Sequence, residues 1–319
     1  VNTGSDGRGS VTLTQGPPGT VWIPGQSAII GSDAHDDEEA PARSVTVDGF
    51  WMQAHQVTNE QFARFVADTG YVTVAQRPRN PTDYSDAPGE NLQPGSMVFQ
   101  ATPGPVDLRH PGQWWTWTPG AAWNHPLGPG STIEGHERHP VVHVAFEDAQ
   151  AYARWADLDL PTEAQWEVAA RGGLPHAEYT WGDRPEAPWQ PLANYWHGEF
   201  PYLPDTGYGQ LAPVGSFPPN AYGLYDMAGN AWDWTVDRCG PRRDEHPGCA
   251  PASVDPARPG FGVPRQVIKG GSFLCADGYC VHYRPAARQP QAIDTGTSHI
   301  GFRCIKRADP PNLLSVRGI

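Results

Sequence analysis

The chain has no run of lysine or arginine: Lys+Arg number 22 against Asp+Glu 35, for a formal net charge of −13. That argues against nucleic acid and anionic membranes as partners. An acidic surface could receive a basic peptide, or it could serve solubility alone. No uninterrupted apolar stretch approaches the length of a membrane span, so a soluble protein is expected. The bacterial cytoplasm is the expected compartment, with export after removal of a leader ahead of Val1 as the alternative. There is no G-x-S-x-G elbow, no G-x-x-x-x-G-K-[ST] loop and no H-E-x-x-H. His136-Glu137-Arg138-His139 only looks like the last, because its histidines are three apart. No glycosylation sequon survives, since proline blocks Asn80-Pro81-Thr82. The five cysteines (Cys239, Cys249, Cys275, Cys280 and Cys304) are too few for a disulfide scaffold of 319 residues, and one must stay unpaired within the chain.

What is abundant is glycine (36), proline (35) and tryptophan (13). The first two interrupt helices and strands, while large aromatics anchor a loop-rich core. A single compact domain with many turns is expected. Val21–Gly25 and Ser44–Val47 read as short strands flanking the acidic turn Asp33–Glu39, a solvated loop or, less simply, a cation site. Thr58-Asn59-Glu60-Gln61 is a capping box, and Phe62, Phe65 and Val66 recur at helical spacing until Gly70. A second helix is expected after Phe146, with Ala149, Tyr152 and Ala153 on one face. A third opens on the capping box Thr162–Gln165 and ends at Gly172-Gly173. The long stretch from Gln76 to His139 carries Trp114, Trp115, Trp117 and Trp123, which favour packing over disorder. His139 and His143 could share a strand face and hold a metal; a structural role is the simpler reading.

The informative segment is Lys269-Gly270-Gly271-Ser272-Phe273-Leu274-Cys275-Ala276-Asp277-Gly278-Tyr279-Cys280. Two cysteines with four residues between them could be a disulfide, two buried thiols, or a pair of soft ligands. Soft thiolates select copper(I), and two of them fall short of the four ligands of a closed zinc site. Such a centre would leave room for a third sulfur and for dioxygen.

This segment, with Tyr283-Arg284, Ala286-Ala287-Arg288 and Gly301-Phe302-Arg303-Cys304, resembles the C-terminal signature of the formylglycine-generating enzyme (sulfatase-modifying factor) family. Val57-Thr58-Asn59, His139–Val144, Leu160–Glu167, Gly198–Pro201 and Asn220–Trp234 agree in the same order. The likeness covers about Val21 to Arg307, which sets an expected domain of 21–307 between a flexible N-terminus (1–20) and a C-terminal tail (308–319). The middle motifs belong to a broad superfamily with non-catalytic and iron-dependent members; the cysteine pair after Gly-Gly-Ser narrows it to the oxidase. The iron-dependent sulfoxide synthases carry an extra helical domain with a histidine-rich motif, and no such motif occurs here.

The resemblance implies an irregular α+β domain with little regular secondary structure, related to C-type lectins. It implies an oxidase that uses O2 and a thiol reductant to convert the cysteine of a sulfatase-type Cys-x-Pro-x-Arg segment to formylglycine. The alternative is a non-catalytic, peptide-binding member of the same superfamily. Carried over, Cys275 and Cys280 bind copper, Ser272 sits beside the reacting sulfur, and Trp232 and Tyr279 wall the pocket. His282, Arg284 and His299 face the substrate. Asp226, Gly229, Ala231 and Asp233 match a calcium site; Asn194, Tyr195, Asp205 and Tyr208 match a second one in a shortened stretch. Several positions depart from the pattern. Gly278 stands for the usual Ser, His282 for Arg and His299 for Asn. Ala170 removes the family's partner for Cys304, Pro285 replaces another cysteine, and Cys239 with Cys249 could form a local pair.

Overall fold

A computed structural model of the protein describes residues 16–79, 89–187, 190–239 and 263–307. Most of the N-terminal segment expected to be flexible, and the whole tail from 308, lie outside the described residues, as does Cys249.

Two helices stand where their end signals put them, and the one between begins at Phe146. Helix α1 spans Asn59–Thr69; Thr58 and Gln61 close the reciprocal capping box, and Gly70 ends the helix in the left-handed conformation. Helix α2 spans Phe146–Trp155, with Asp148 accepting from the Ala145 N–H at 2.8 Å. Helix α3 spans Glu163–Arg171, again with a Thr–Gln capping box and a left-handed glycine, Gly172.

The strands are short and scattered. Strand β1 is Thr20–Ile23, β2 Gln26–Ile30, β3 Arg43–Val47 and β4 Phe50–Gln53. Sequence reading found β1 and β3 but missed β2, because Pro24-Gly25 looked like the end of a strand. It is instead the corner between β1 and β2, and β2 pairs with β3 across the acidic turn. Strands β5 (Gly95–Phe99) and β6 (Trp115–Pro119) form a ribbon inside the long tryptophan-rich stretch. Two-residue strands β7 (Gly198–Glu199) and β8 (Leu203–Pro204) make a smaller one. The main sheet joins β9 (Trp232–Cys239), β10 (Arg265–Lys269), β11 (Arg288–Ala292) and β12 (Ile300–Gly301) in the order β11-β10-β9-β12. Strand β13 (Ile305–Arg307) returns the chain beside β4. The mixture of few helices and small sheets in one domain is the α+β class read from the sequence.

Two kinds of contact hold these pieces. Apolar packing gathers α1 and α2 around Phe62, whose ring stacks on Tyr152 at 6.0 Å and meets Phe65, Trp123 and Phe302 edge-on. Ionic packing docks α3 on the main sheet. Lys269 is fully buried, 3.1 Å from Glu167 and 3.7 Å from Glu163; Arg171 pairs with Glu167 and Arg288 with Glu163.

Phe62 therefore joins both helices to the C-terminal strand region. Phe62→Ala should cost about 3–5 kcal/mol of stability. A lower denaturant midpoint at unchanged slope is the expected readout; a cost below about 1 kcal/mol would mean the two helices pack independently of this ring.

Candidate active site

The end of strand β10 delivers the chain into two left-handed glycines, Gly270 (φ 95°) and Gly271 (φ 70°). Side chains are barred here twice over. A Cβ on Gly270 would come within 2.8 Å of the Trp166 ring, and one on Gly271 within 2.8 Å of the Tyr283 nitrogen. The tight path turns Ser272 fully inward, where its hydroxyl accepts from the Leu274 N–H at 3.2 Å and its carbonyl from the Cys275 N–H at 3.0 Å. A second turn follows, with the Tyr279 and Cys280 N–H groups both donating to the Ala276 carbonyl at 2.9 and 2.8 Å. That turn brings Cys280 back to Cys275.

The two thiols are free and hydrogen-bonded to each other. Burial pushes the Cys275 thiol far up, and its hydrogen bond to Cys280 holds the Cys280 thiol far down, so the first thiolate forms at Cys280. Cys275 is enclosed and Cys280 lies nearer the surface. Tyr279 is 39% exposed, stacks on Phe200 at 4.7 Å and meets Trp114 edge-on at 5.6 Å. Trp232 is buried with its ring 5.8 Å from that of His282. Burial pulls the His282 pKa down, but Cys280 and Asp36 outweigh it and the net shift is upward. His299 packs on Trp115 at 4.8 Å and hydrogen-bonds Thr297; desolvation, then nearby His143, depresses its pKa to about 3.

Arg284 has another job than the substrate contact the resemblance suggested. It is buried and bidentate to Glu39, at 3.0 Å from one oxygen and 2.5 Å from the other, and it donates to the Val281 carbonyl. Glu39 comes from the acidic turn, which sequence reading took for a solvated loop. In the structure this turn folds over the chain beyond Cys280: Asp36 reaches His282 and Glu39 reaches Arg284. Nothing local in the turn marks Glu39 for burial; only the basic residues at 282, 284 and 288 hinted at a destination for acid.

Among the described residues no group of three or more His, Cys, Asp or Glu side chains is arranged to hold a metal. The expected calcium sites lean instead on carbonyl and amide oxygens. In the first, burial raises the Asp226 pKa to about 6 and that of Asp233 as well. Asp233 spends one oxygen on Trp166 (2.9 Å) and Arg303 (2.7 Å), while its other oxygen is buried without a partner. The Ala231 carbonyl accepts from Gln56, and Gly229 lies against Asn194. In the second, the Asn194 side-chain oxygen is likewise buried and unpartnered, while its amide nitrogen donates to the Gln210 carbonyl and to Asn230. The Asp205 backbone N–H donates to the His197 carbonyl at 2.8 Å, and the Tyr208 ring stacks on the His197 ring at 4.0 Å. Tyr195 stacks on Tyr283 at 4.2 Å.

His139 and His143 do not form a pair. His143 is buried, hydrogen-bonds Ser96 at 2.8 Å and has its pKa pulled down to about 4 by burial, whereas His139 packs on His136. Cys239 is disulfide-bonded, and Cys304 is a free, buried thiol.

Removing Arg284 would strand Glu39 in the interior. Arg284→Met should therefore lose about 3–5 kcal/mol of stability, with most of it regained in Glu39→Gln/Arg284→Met. Chemical denaturation measures this. An undiminished stability with a raised KM for peptide would restore the substrate-binding role.

Comparison with known proteins places this geometry. The family described as the Sulfatase-modifying factor enzyme 1-like domain matches residues 10–308. Over 296 residues the chain is 51% identical to the formylglycine-generating enzyme of Mycobacterium tuberculosis, covering 91% of this chain and 97% of that one. It is 45% identical over 300 residues to the enzyme of that name from Thermomonospora curvata, covering 92% and 94%. The solved structure of PvdO from Pseudomonas aeruginosa superimposes with a TM-score of 0.57 at 22% identity, over 91% of this chain and 94% of that one, a likeness of fold. The chain belongs to the sulfatase-modifying factor family, the family of the formylglycine-generating enzymes.

Proposed function

We propose that the protein oxidises a cysteine in a sulfatase-type Cys-x-Pro-x-Arg polypeptide segment to formylglycine, using O2, a thiol reductant and copper(I) held by Cys275 and Cys280. The observation that carries this reading is the pair of free thiols that the Gly-Gly-Ser turn and the turn at Ala276 bring together beside Tyr279. The reaction balances when the substrate's thiol-bearing methylene and O2, with two reducing thiols, give an aldehyde, hydrogen sulfide, water and a disulfide. A non-catalytic, peptide-binding role would leave this pair without a purpose.

The donor set suits copper. Two sulfurs are soft ligands, the Cys280 thiol ionises more readily than its neighbour, and protons leave the pair when a cation takes their place. Bound there, copper(I) would supply the one-electron chemistry with O2 that no side chain can. The chain's own residues do the rest. Cys275 is fixed from within by Ser272, Cys280 is the less buried of the two, and Trp232 and Tyr279, with Phe200 stacked on Tyr279, would wall the pocket. His299, uncharged at working pH, adds no positive charge to the cleft. The substrate cysteine would approach on the Cys280–Tyr279 side, where the pair is not sealed.

Calcium belongs to the same reading as a structural ion. Its first site would use Asp226, Asp233 and the carbonyls of Gly229 and Ala231; its second would use Asn194, Asp205 and the carbonyls of Tyr195 and Tyr208. The buried, unpartnered oxygens on Asp233 and Asn194 suit a cation ligand at each.

Cys275→Ser and Cys280→Ser should each abolish peptide oxidation. Each should weaken copper(I) binding by more than the roughly 10–100-fold typical of outer-sphere changes. Mass spectrometry of the peptide and a competitive copper titration check both; wild-type values in either variant would rule out the pair as ligands. For calcium, metal-stripped protein should gain about 2.7 kcal/mol at 100 times Kd. Asp226→Ala and Asp233→Ala should each lose that calcium-dependent gain, whatever their starting stability. A melting temperature indifferent to calcium and to chelator would remove the ion from the reading.

A further inference from the structure

The turn between β2 and β3 grips the chain just past Cys280 at three points. Glu39 closes on Arg284, the Glu38 carbonyl accepts from Arg288 at 3.4 Å, and Asp36 Oδ2 lies 3.2 Å from His282 Nε2. The last contact joins residues 246 apart in sequence, and His282 is two residues from Cys280. The imidazole is constrained from several sides. Asp36 holds its Nε2, Trp232 lies across its face, and the Cys280 sulfur is its neighbour within the site. Its Nδ1 is buried with no hydrogen-bond partner. Among the described residues Asp36 is thus the one carboxylate hydrogen-bonded to this ring.

The Asp36 side chain is 57% exposed, against 21% for His282. An ion pair so open to solvent contributes at most about 1 kcal/mol to folding. Its consequence is local: it holds one nitrogen of an imidazole that also meets the side chain of the half-buried Cys280.

We propose that Asp36 is a positioning residue for Cys280, holding the His282 imidazole over that sulfur and so setting how the cysteine pair receives a soft metal ion. The inference rests on the reading of Cys275 and Cys280 as the copper pair. Without Asp36, Nε2 has only water to bond, the ring is free to turn outward, and Cys280 loses its cover.

The test uses the full chain, reduced and metal-free. Copper(I) affinity is measured by competition with a chromophoric chelator for wild type, Asp36→Ala, Asp36→Asn, His282→Ala and Asp36→Ala/His282→Ala. Asp36→Ala should bind about tenfold more weakly, the lower end of what loss of an orienting carboxylate does. Asp36→Asn keeps an oxygen facing Nε2 and should stay close to wild type. Asp36→Ala should add nothing once His282 is gone. In parallel, alkylation of Cys280 by a neutral maleimide, located by peptide mapping, should speed up severalfold in Asp36→Ala at an unchanged melting temperature. Wild-type copper affinity together with wild-type alkylation in Asp36→Ala overturns the proposal, as does an Asp36 effect that persists in full without His282. If wild type binds copper(I) no better than Cys275→Ser/Cys280→Ser, the copper reading falls instead, and the alkylation rates alone decide the role of Asp36.

Discussion

Lys269 ends strand β10 with its ammonium enclosed by protein, 3.1 Å from Glu167, 3.7 Å from Glu163 and 3.2 Å from the Ala286 carbonyl. An ion in that position is costly unless every bond it makes is well placed. The bonds are supplied by α3 from one side and by the segment leading into β11 from the other. Arg171 adds a second cation to Glu167, and Arg288 and the half-buried Arg43 join Lys269 at Glu163. The network admits one register of α3 against the sheet. Because Gly270 and Gly271 follow at once, that register also fixes where the chain leaves the sheet. The placement of Ser272, Cys275 and Cys280 is inherited from it.

The same device recurs further out. A chain this rich in glycine and proline has few long ladders, and its loops need other fastenings. Arg303 ties Asp233 to the Asp226 carbonyl, Arg284 ties Glu39 to the Val281 carbonyl, and Asn230 links Asn194 to the Ala212 backbone. Each joins stretches distant in sequence, and each is buried, so each is specific: a shifted loop would leave a charge or an amide without a partner. Aromatic rings fill what remains, as in the run from Tyr179 through Tyr283 to Tyr195 and His197.

How far the sequence discloses this depends on the range of each signal. Capping boxes and terminal glycines are local, and α1 and α3 begin and end where Thr58, Thr162, Gly70 and Gly172 say. The main sheet was not legible. Strand β9 is buried along its first four residues and so shows no alternation, its pairing with β10 shifts at a bulge, and β12 is two residues long. The site was legible only in part. Spacing marks Cys275 and Cys280 as a pair but leaves their chemistry open, and resemblance supplies roles without contacts. It therefore gave Arg284 to the substrate, where the structure gives it to Glu39. The acidic turn was misread for the same reason: its destination lies some 250 residues away, and no local pattern encodes it.

The cysteine pair is asymmetric, and the asymmetry follows from the two turns that build it. Cys275 hangs from the inner turn, enclosed by Ser272 and by the Trp196 N–H that bonds its carbonyl at 2.7 Å. Cys280 ends the outer turn, beside a tyrosine that reaches solvent and a histidine paired to a carboxylate. In a low-dielectric site only one of two adjacent thiols ionises easily, and it is the one with the better company. Here that is Cys280, which accepts the Cys275 hydrogen and feels the His282 ring. The inner thiol, raised by burial, holds its proton more tightly than the outer one.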